Sequence, residues 1–138
     1  MDDLNINEII SKPINYDVPV KDHQNANIEF GNISEEELIK LGFRNNENDY
    51  YICKNLIGKR EITFNLTIHK NDKRIKIDIL DENFLQPYDY QSILKRQQFV
   101  NGININSYSY RVHIKVQEIM KWLLDNNIII GYQLGDYI

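Results

Sequence analysis

The sequence predicts an α+β fold in which two or three helices pack on one face of an antiparallel meander of three to four strands. Three observations predict it. Residues 61–70 alternate apolar and polar side chains, the period of a strand with one buried face. Short turns separate residues 50–57, 61–70 and 75–79, as in a meander. Residues 108–126 carry an apolar stripe at helical spacing, which a sheet face would cover.

The first element is predicted to be a helix that begins at Ser34 and ends near Phe43. Ser34 is a favourable N-cap residue, and the glutamates that follow it lie at the positive end of the helix dipole. Gly42 can adopt the left-handed conformation that stops a helix. A short helix is therefore expected before the first strand.

The apolar patterns in the rest of the chain predict six further elements. Three strands are predicted at residues 50–57, 61–70 and 75–79, helices at 89–98 and 108–126, and a closing strand at 128–132. The apolar faces of the strands and of the last helix need each other's cover. We expect them to bury one common core, represented by Leu66, Ile77, Val116, Ile119 and Leu123.

The chain of 138 residues has the usual length of one domain. Residues 1–30 show no sustained period, which predicts an extended arm, packed on or loosely attached to the domain, with a short strand at 27–30. A single α+β domain is expected over residues 31–138. Cys53 is the only cysteine, and the N-terminal residues lack a basic and then apolar leader. We therefore expect a cytoplasmic protein with no membrane association.

The acidic residues Asp78, Asp81 and Glu82 are candidates for a metal-dependent nuclease site, because they lie at the end of a predicted strand. Such a site also needs an Asp/Glu-x-Lys motif on an adjacent strand, and none follows. The acids are better explained as the polar end of a strand that leads into a turn. Hydrolase or nuclease activity is therefore the least favoured function.

The histidines and the cysteine do not indicate a catalytic or metal site either. His23, His69 and His113 are far apart and share no zinc-ligand spacing. Cys53 and His69 lie on neighbouring predicted strands, and nothing else indicates a nucleophile–base pair. We assign no catalytic residue, metal ligand or cofactor, and expect a protein that is not an enzyme.

Aromatic residues give the one positive indication of a contact surface. Tyrosine offers a large contact area with few torsions to freeze, which makes it frequent at interfaces. On the last helix, Tyr110 and Ile114 are four residues apart and share a face, Tyr108 extends it, and Trp122 lies off the core stripe. These four residues are predicted to bind a partner protein, unless residues 1–30 or the second helix cover them.

A nucleic-acid-binding function is the alternative. Residues 51–80 hold seven bases and three acids, whereas residues 1–50 hold four bases and eleven acids. Lys70, Lys73 and Arg74 cluster at one predicted turn, where they could neutralise phosphates. The order of helix, three strands and helix resembles the double-stranded-RNA-binding domain, which implies phosphate contacts from basic residues at the start of the last helix. Here that stretch, residues 107–112, holds Arg111 alone.

The leading hypothesis is a small non-enzymatic accessory protein of bacterial or phage type. It would act by binding another protein, as immunity proteins and inhibitors do. Nucleic-acid binding through the basic turn is second, and an enzyme is third.

Overall fold

The computed structural model describes residues 28–132. Three helices occur in this part of the chain: α1 (Glu35–Lys40), α2 (Tyr90–Val100) and α3 (Tyr108–Asp125). The strands within the same range are β1 (Glu29–Phe30), β2 (Arg44–Asn45), β3 (Asp49–Ile57), β4 (Ile62–His69), β5 (Ile75–Asp81), β6 (Gln86–Pro87) and β7 (Ile129–Ile130). The α+β class is confirmed. Most of the expected arm, residues 1–27, lies outside the described residues.

The main sheet has five antiparallel strands in the order β2-β3-β4-β5-β6. Its three long strands form the expected meander, in which Leu66 lies opposite Ile52 on one side and Ile77 on the other. The two outer strands, β2 and β6, are two residues long and were not predicted. A second, two-stranded sheet pairs β1 with β7, so that Phe30 lies opposite Ile129.

The helices begin where side chains can accept hydrogen bonds from the first free backbone amides. Ser34 Oγ accepts from the Glu37 amide at 3.2 Å, which confirms the predicted cap of α1. Asp89 Oδ1 accepts from the Ser92 amide at the start of α2, at 3.1 Å. After α1, Gly42 has a φ of +105°, as predicted for the residue that stops this helix.

The core lies between the even-numbered face of β3 and β4 and the apolar stripe of α3. Leu66, Val116 and Leu123 are fully buried, and Ile77 is nearly so. Ile119 differs from the prediction, because it is half-buried and packs against the edge of this core. The predicted helix-on-sheet packing is otherwise present.

Helix α3 buries a second face besides its apolar stripe. The ring of His113 lies 6.0 Å from that of Tyr90 on α2 and 5.9 Å from that of Tyr110. One turn further on, Gln117 Nε2 donates a 2.8 Å hydrogen bond to the Tyr132 hydroxyl. The side of α3 that carries Tyr110 is therefore covered in part by α2.

Candidate functional site

The four residues predicted to bind a partner do not form one exposed surface. Tyr108 is 39% exposed, whereas Tyr110 is only 4% exposed and belongs to the core. Ile114 and Trp122 are half-buried and pack against the core. The ammonium group of Lys54 lies 4.5 Å from the Trp122 ring centroid and further covers that side chain. The expected exposure of Tyr110 was wrong, because α2 packs over this face of α3.

Tyr108 remains at the surface in a fixed orientation. Its ring meets the ring of Tyr88 edge to face, at 5.9 Å between centroids, and its hydroxyl donates a 3.3 Å hydrogen bond to Glu61. Tyr88 is held in turn by a 2.9 Å hydrogen bond between its hydroxyl and Ser109. Desolvation, followed by the negative charge of Glu61, raises the pKa of Tyr108 above its ordinary value.

The turn between β5 and β6 is unusual because it exposes two large apolar side chains. Phe84 is 74% exposed and Leu85 is 85% exposed, although both are large apolar residues. The Asp81 carboxylate accepts hydrogen bonds from the amides of Asn83 and Phe84, at 3.0 and 3.2 Å, which fixes the turn. We call Phe84 and Leu85 the display turn.

Leu85 has a φ of +52°, in the left-handed region. For a residue other than glycine, asparagine or aspartate, this conformation costs about 1 kcal/mol. The sequence analysis did not assign a role to Phe84 or Leu85. The available signal was a pair of large apolar residues inside a polar turn, directly before the strand that contains Pro87.

The display turn and Tyr108 lie at the same end of the molecule. The Glu82 amide, on the β5 side of the display turn, donates a 2.9 Å hydrogen bond to the Glu61 carbonyl in the turn between β3 and β4. The Glu61 carboxylate in turn accepts the hydrogen bond from Tyr108. Three separate elements thus meet here and present Phe84, Leu85 and Tyr108 to solvent.

The predicted nucleic-acid-binding residues Lys70, Lys73 and Arg74 lie in or beside the turn between β4 and β5, at the opposite end of these strands. Each already has a contact. Lys70 Nζ donates to Asn45 at 3.1 Å and lies 4.9 Å from the Tyr50 ring centroid. Lys73 Nζ lies 5.6 Å from the same ring.

Arg74 forms a 2.7 Å ion pair with Asp72. The hydrogen bond from the Arg74 amide is the largest cause of the lowered pKa of Asp72, and the Arg74 charge adds to it. Two further bases, Lys59 and Arg60, lie in the turn between β3 and β4, at the other end of the sheet. The basic residues therefore lie at both ends of the long strands, with Lys54 on β3 and Lys76 on β5 between them.

A groove of about 540 Å³ runs beside this basic turn. Its lining mixes apolar side chains with charges of both signs: Ile28, Glu29, Phe30, Asp72, Lys73, Arg74 and Ile75. The two acids balance the two bases, so the groove does not present the positive field that an anionic ligand favours.

The cysteine and histidine considered as a nucleophile–base pair are apart. Cys53 lies opposite Asn65, whereas His69 lies opposite Asp49, four residues along β3 and roughly 13 Å away. His69 Nδ1 lies 2.7 Å from the Asp49 carboxylate instead. Between residues 28 and 132, no three His, Cys, Asp or Glu side chains are grouped so that they could hold a metal ion. No helix in that range is long and apolar enough to cross a membrane.

Comparison with known proteins supports the fold. No protein-family model matches the chain, and no curated protein matches it. The chain is similar to the crystal structure of a DUF1831 family protein from Lactobacillus plantarum, with a TM-score of 0.54 and 13% sequence identity. The similarity covers 75% of this chain and 84% of that one. At this identity it shows a shared α+β fold and carries no information on function.

Proposed function

We propose that this protein acts by binding another protein, and that the contact surface consists of the display turn and Tyr108. The observation that carries the proposal is the left-handed conformation of Leu85, combined with its 85% exposure. Strained backbone that persists in a fold is frequently found at ligand-binding and partner-binding positions. At Leu85 this conformation occurs together with an exposed side chain that is large and apolar.

The display turn is suited to binding because its geometry is set before a partner arrives. The two hydrogen bonds to Asp81 hold the backbone of the turn, so little conformational freedom remains to be lost on association. A fully buried Phe or Leu side chain contributes about 1.5–3 kcal/mol relative to the exposed state. Phe84 and Leu85 together would therefore form a small hot spot in a partner's apolar pocket.

Tyr108 adds a rigid aromatic contact beside the turn. Its contacts with Tyr88 and Glu61 restrict both of its torsions, and 39% of the residue remains accessible. Tyr108 is one of the four residues that the sequence predicted to bind a partner. The proposed role is that of a small cytoplasmic accessory protein of bacterial or phage type, comparable to an immunity protein or an inhibitor. The single cysteine cannot form an intrachain disulfide, so the chain differs from the small secreted scaffolds that disulfides stabilise.

Affinity capture with paired variants tests the proposal. The tagged protein is used as bait in a lysate of the source organism, and captured proteins are quantified by mass spectrometry. We expect a partner that the wild type captures and that the double variant Phe84→Ser, Leu85→Asn captures at least about tenfold less. The matched control replaces Lys70, Lys73 and Arg74 with Gln at the opposite end of the sheet, and should capture the partner normally.

Equal capture by the display-turn variant and the wild type would contradict the proposal. The same proteins are titrated with duplex and single-stranded DNA and RNA. Affinity that falls steeply with salt, and that the triple Gln variant loses, would favour the nucleic-acid function instead. Thermal unfolding of each variant confirms that it is folded.

A further inference from the structure

The outer edge of β5, on the side away from β4, is only partly covered by β6. The pairing of β5 with β6 involves Leu80 and Asp81, at the C-terminal end of β5. Along residues 75–78, no strand between residues 28 and 132 pairs with this outer edge. A sheet edge of this kind can accept a further strand.

The hydrogen bonds of the sheet show which backbone groups point to the outer edge. The Arg74 carbonyl accepts a 2.9 Å hydrogen bond from the His69 amide, so the even-numbered residues bond to β4. The odd-numbered residues direct their backbone groups the other way, as the 2.8 Å hydrogen bond from the Tyr88 amide to the Ile79 carbonyl shows. The side chains of these odd-numbered residues face the core, and that of Ile75 is only half-buried. An added strand would therefore bond to β5 through residues whose own side chains face the core.

The chain enters the described part of the molecule beside this edge. Ile28 and Phe30 line the same groove as residues 72–75, and the Lys73 ammonium group lies 5.6 Å from the Phe30 ring centroid. The segment before Ile28 therefore starts close to the beginning of β5. An antiparallel strand on the outer edge would run toward Ile75 and so end close to Ile28.

The sequence before Ile28 contains a segment with the pattern of an edge strand. Its even-numbered residues are apolar: Ile14, Tyr16, Val18 and Val20. Proline is tolerated in an edge strand only where the missing N–H would point to solvent. With the even-numbered side chains toward the core, the even-numbered N–H groups would donate to β5. Pro13 and Pro19 would then both fall at positions that point away from the sheet.

We propose that residues 14–18 of the same chain add to the outer edge of β5 as an antiparallel strand. The charges favour this occupant. Residues 1–27 hold five acids and two bases, whereas residues 70–76 hold four bases and one acid. Asp17 would lie on the outer face of the sheet, where the side chains of Arg74 and Lys76 are largely exposed. A partner for these two bases would thus come from the added strand itself.

The connecting chain is long enough to allow this arrangement. Nine residues, 19–27, separate Val18 from Ile28, and they reach about 30 Å when extended. The seven residues of β5 span only about 23 Å. The display turn follows the other end of β5, so this inference is independent of the proposed function.

Hydrogen exchange of backbone amides, followed by NMR in the full chain, tests the proposal. In the wild type we expect the Ile75 and Ile77 amides to be protected, like the Lys76 amide, which faces β4. Tyr16→Pro removes an N–H that would donate to β5, so exchange at both isoleucines should become at least about tenfold faster, with Lys76 unchanged. The matched control is Asn15→Pro, at a position whose N–H would point away from β5. It should exchange like the wild type.

Three results would overturn the proposal: free exchange of both isoleucine amides in the wild type, no acceleration by Tyr16→Pro, and equal acceleration by Asn15→Pro. Tyr16→Val keeps the N–H and an apolar side chain, and should keep the protection. The measurements are repeated at two protein concentrations about tenfold apart. Protection that rises with concentration would assign the strand to a second copy and would also contradict the proposal.

Discussion

The Tyr50 hydroxyl donates a 2.9 Å hydrogen bond to the Glu35 carboxylate, which joins the second residue of β3 to the first turn of α1. This hydrogen bond is the largest cause of a raised pKa at Tyr50, followed by desolvation and by the charge of Glu35. Ionisation of the phenol would remove the donor and set two negative charges side by side. The contact therefore stabilises the fold only while Tyr50 is protonated.

Alkaline pH should accordingly destabilise the protein. Because the pKa of Tyr50 in the folded protein lies above its ordinary value of 10.0, the unfolded chain loses this proton first, and stability falls as the pH rises above 10. We expect a smaller loss between about pH 8 and pH 11 in Tyr50→Phe. The remaining loss reflects Tyr108 and Tyr110, whose pKa values are also raised, in both cases chiefly by desolvation.

Urea denaturation at the two pH values measures this difference. Tyr51→Phe is the control, since Tyr51 is the next residue on β3 and is exposed on the opposite face. It should keep the pH dependence of the wild type. Identical slopes for the wild type and Tyr50→Phe would show that the hydrogen bond to Glu35 does not contribute.

Truncation of Leu123 tests the helix-on-sheet core. Leu123 is fully buried on the apolar stripe of α3, and Leu123→Ala should lower the free energy of unfolding by about 2–5 kcal/mol. The adjacent Leu124 is half-buried, so Leu124→Ala should cost less. Equilibrium denaturation of both variants measures the free energies of unfolding. A loss below about half a kcal/mol for Leu123→Ala is incompatible with this packing.

Relief of strain at Leu85 should stabilise the protein. Asparagine tolerates the left-handed region, so Leu85→Asn should raise the free energy of unfolding by about 0.5–1 kcal/mol. Phe84→Asn, at the adjacent position without a positive φ, should bring no such gain. Thermal and urea denaturation compare the two. If the display turn binds a partner, the variant that is more stable is also the one that loses binding, as expected of a trade-off between stability and function.

The close approach of Gly31 to the end of α3 gives a fourth prediction. The Gly31 amide donates a 2.9 Å hydrogen bond to the Ile128 carbonyl, and a β-carbon at position 31 would overlap with the Asn127 carbonyl. Gly31→Ala should cost about 1–3 kcal/mol, because backbone atoms must move. The exposed neighbour Asn32 allows the control Asn32→Ala, which keeps the backbone contacts. Equal stability of the two variants would contradict the described geometry.

Most elements could be predicted because their signals are local. The alternation in β4, the apolar stripe of α3 and the cap at Ser34 each depend on residues within one element. The strands β2 and β6 could not be found in this way. Two residues cannot show a period, and both strands exist only because β3 and β5 present hydrogen-bonding groups to them.

The contact surface was only partly predictable, because polarity is an uncertain guide to exposure. Tyr110, His113 and Gln117 resemble a solvent-facing side of α3 in the sequence, yet all three are buried. Side chains of α2 and the side chain of Tyr132 cover them, and these contacts join residues that are distant in the sequence. Phe84 and Leu85 were missed because large apolar residues are ordinarily expected to be buried, whereas both are exposed.

The pairing of Phe30 with Ile129 also sets the order in which the molecule can be completed during synthesis. About 100 residues separate the two, and a ribosome that adds roughly 5–20 residues per second needs about 5–20 s to make the intervening chain. Closing a loop of this length carries a length-dependent entropy cost of roughly 4 kcal/mol, which local turns such as those between β3, β4 and β5 largely avoid. The turns of the meander can form earlier, whereas the seam between β1 and β7 can close only after Ile129 has been added. A nascent chain arrested before Ile129 would leave β1 without its partner strand, a state that a protease could distinguish from the finished protein.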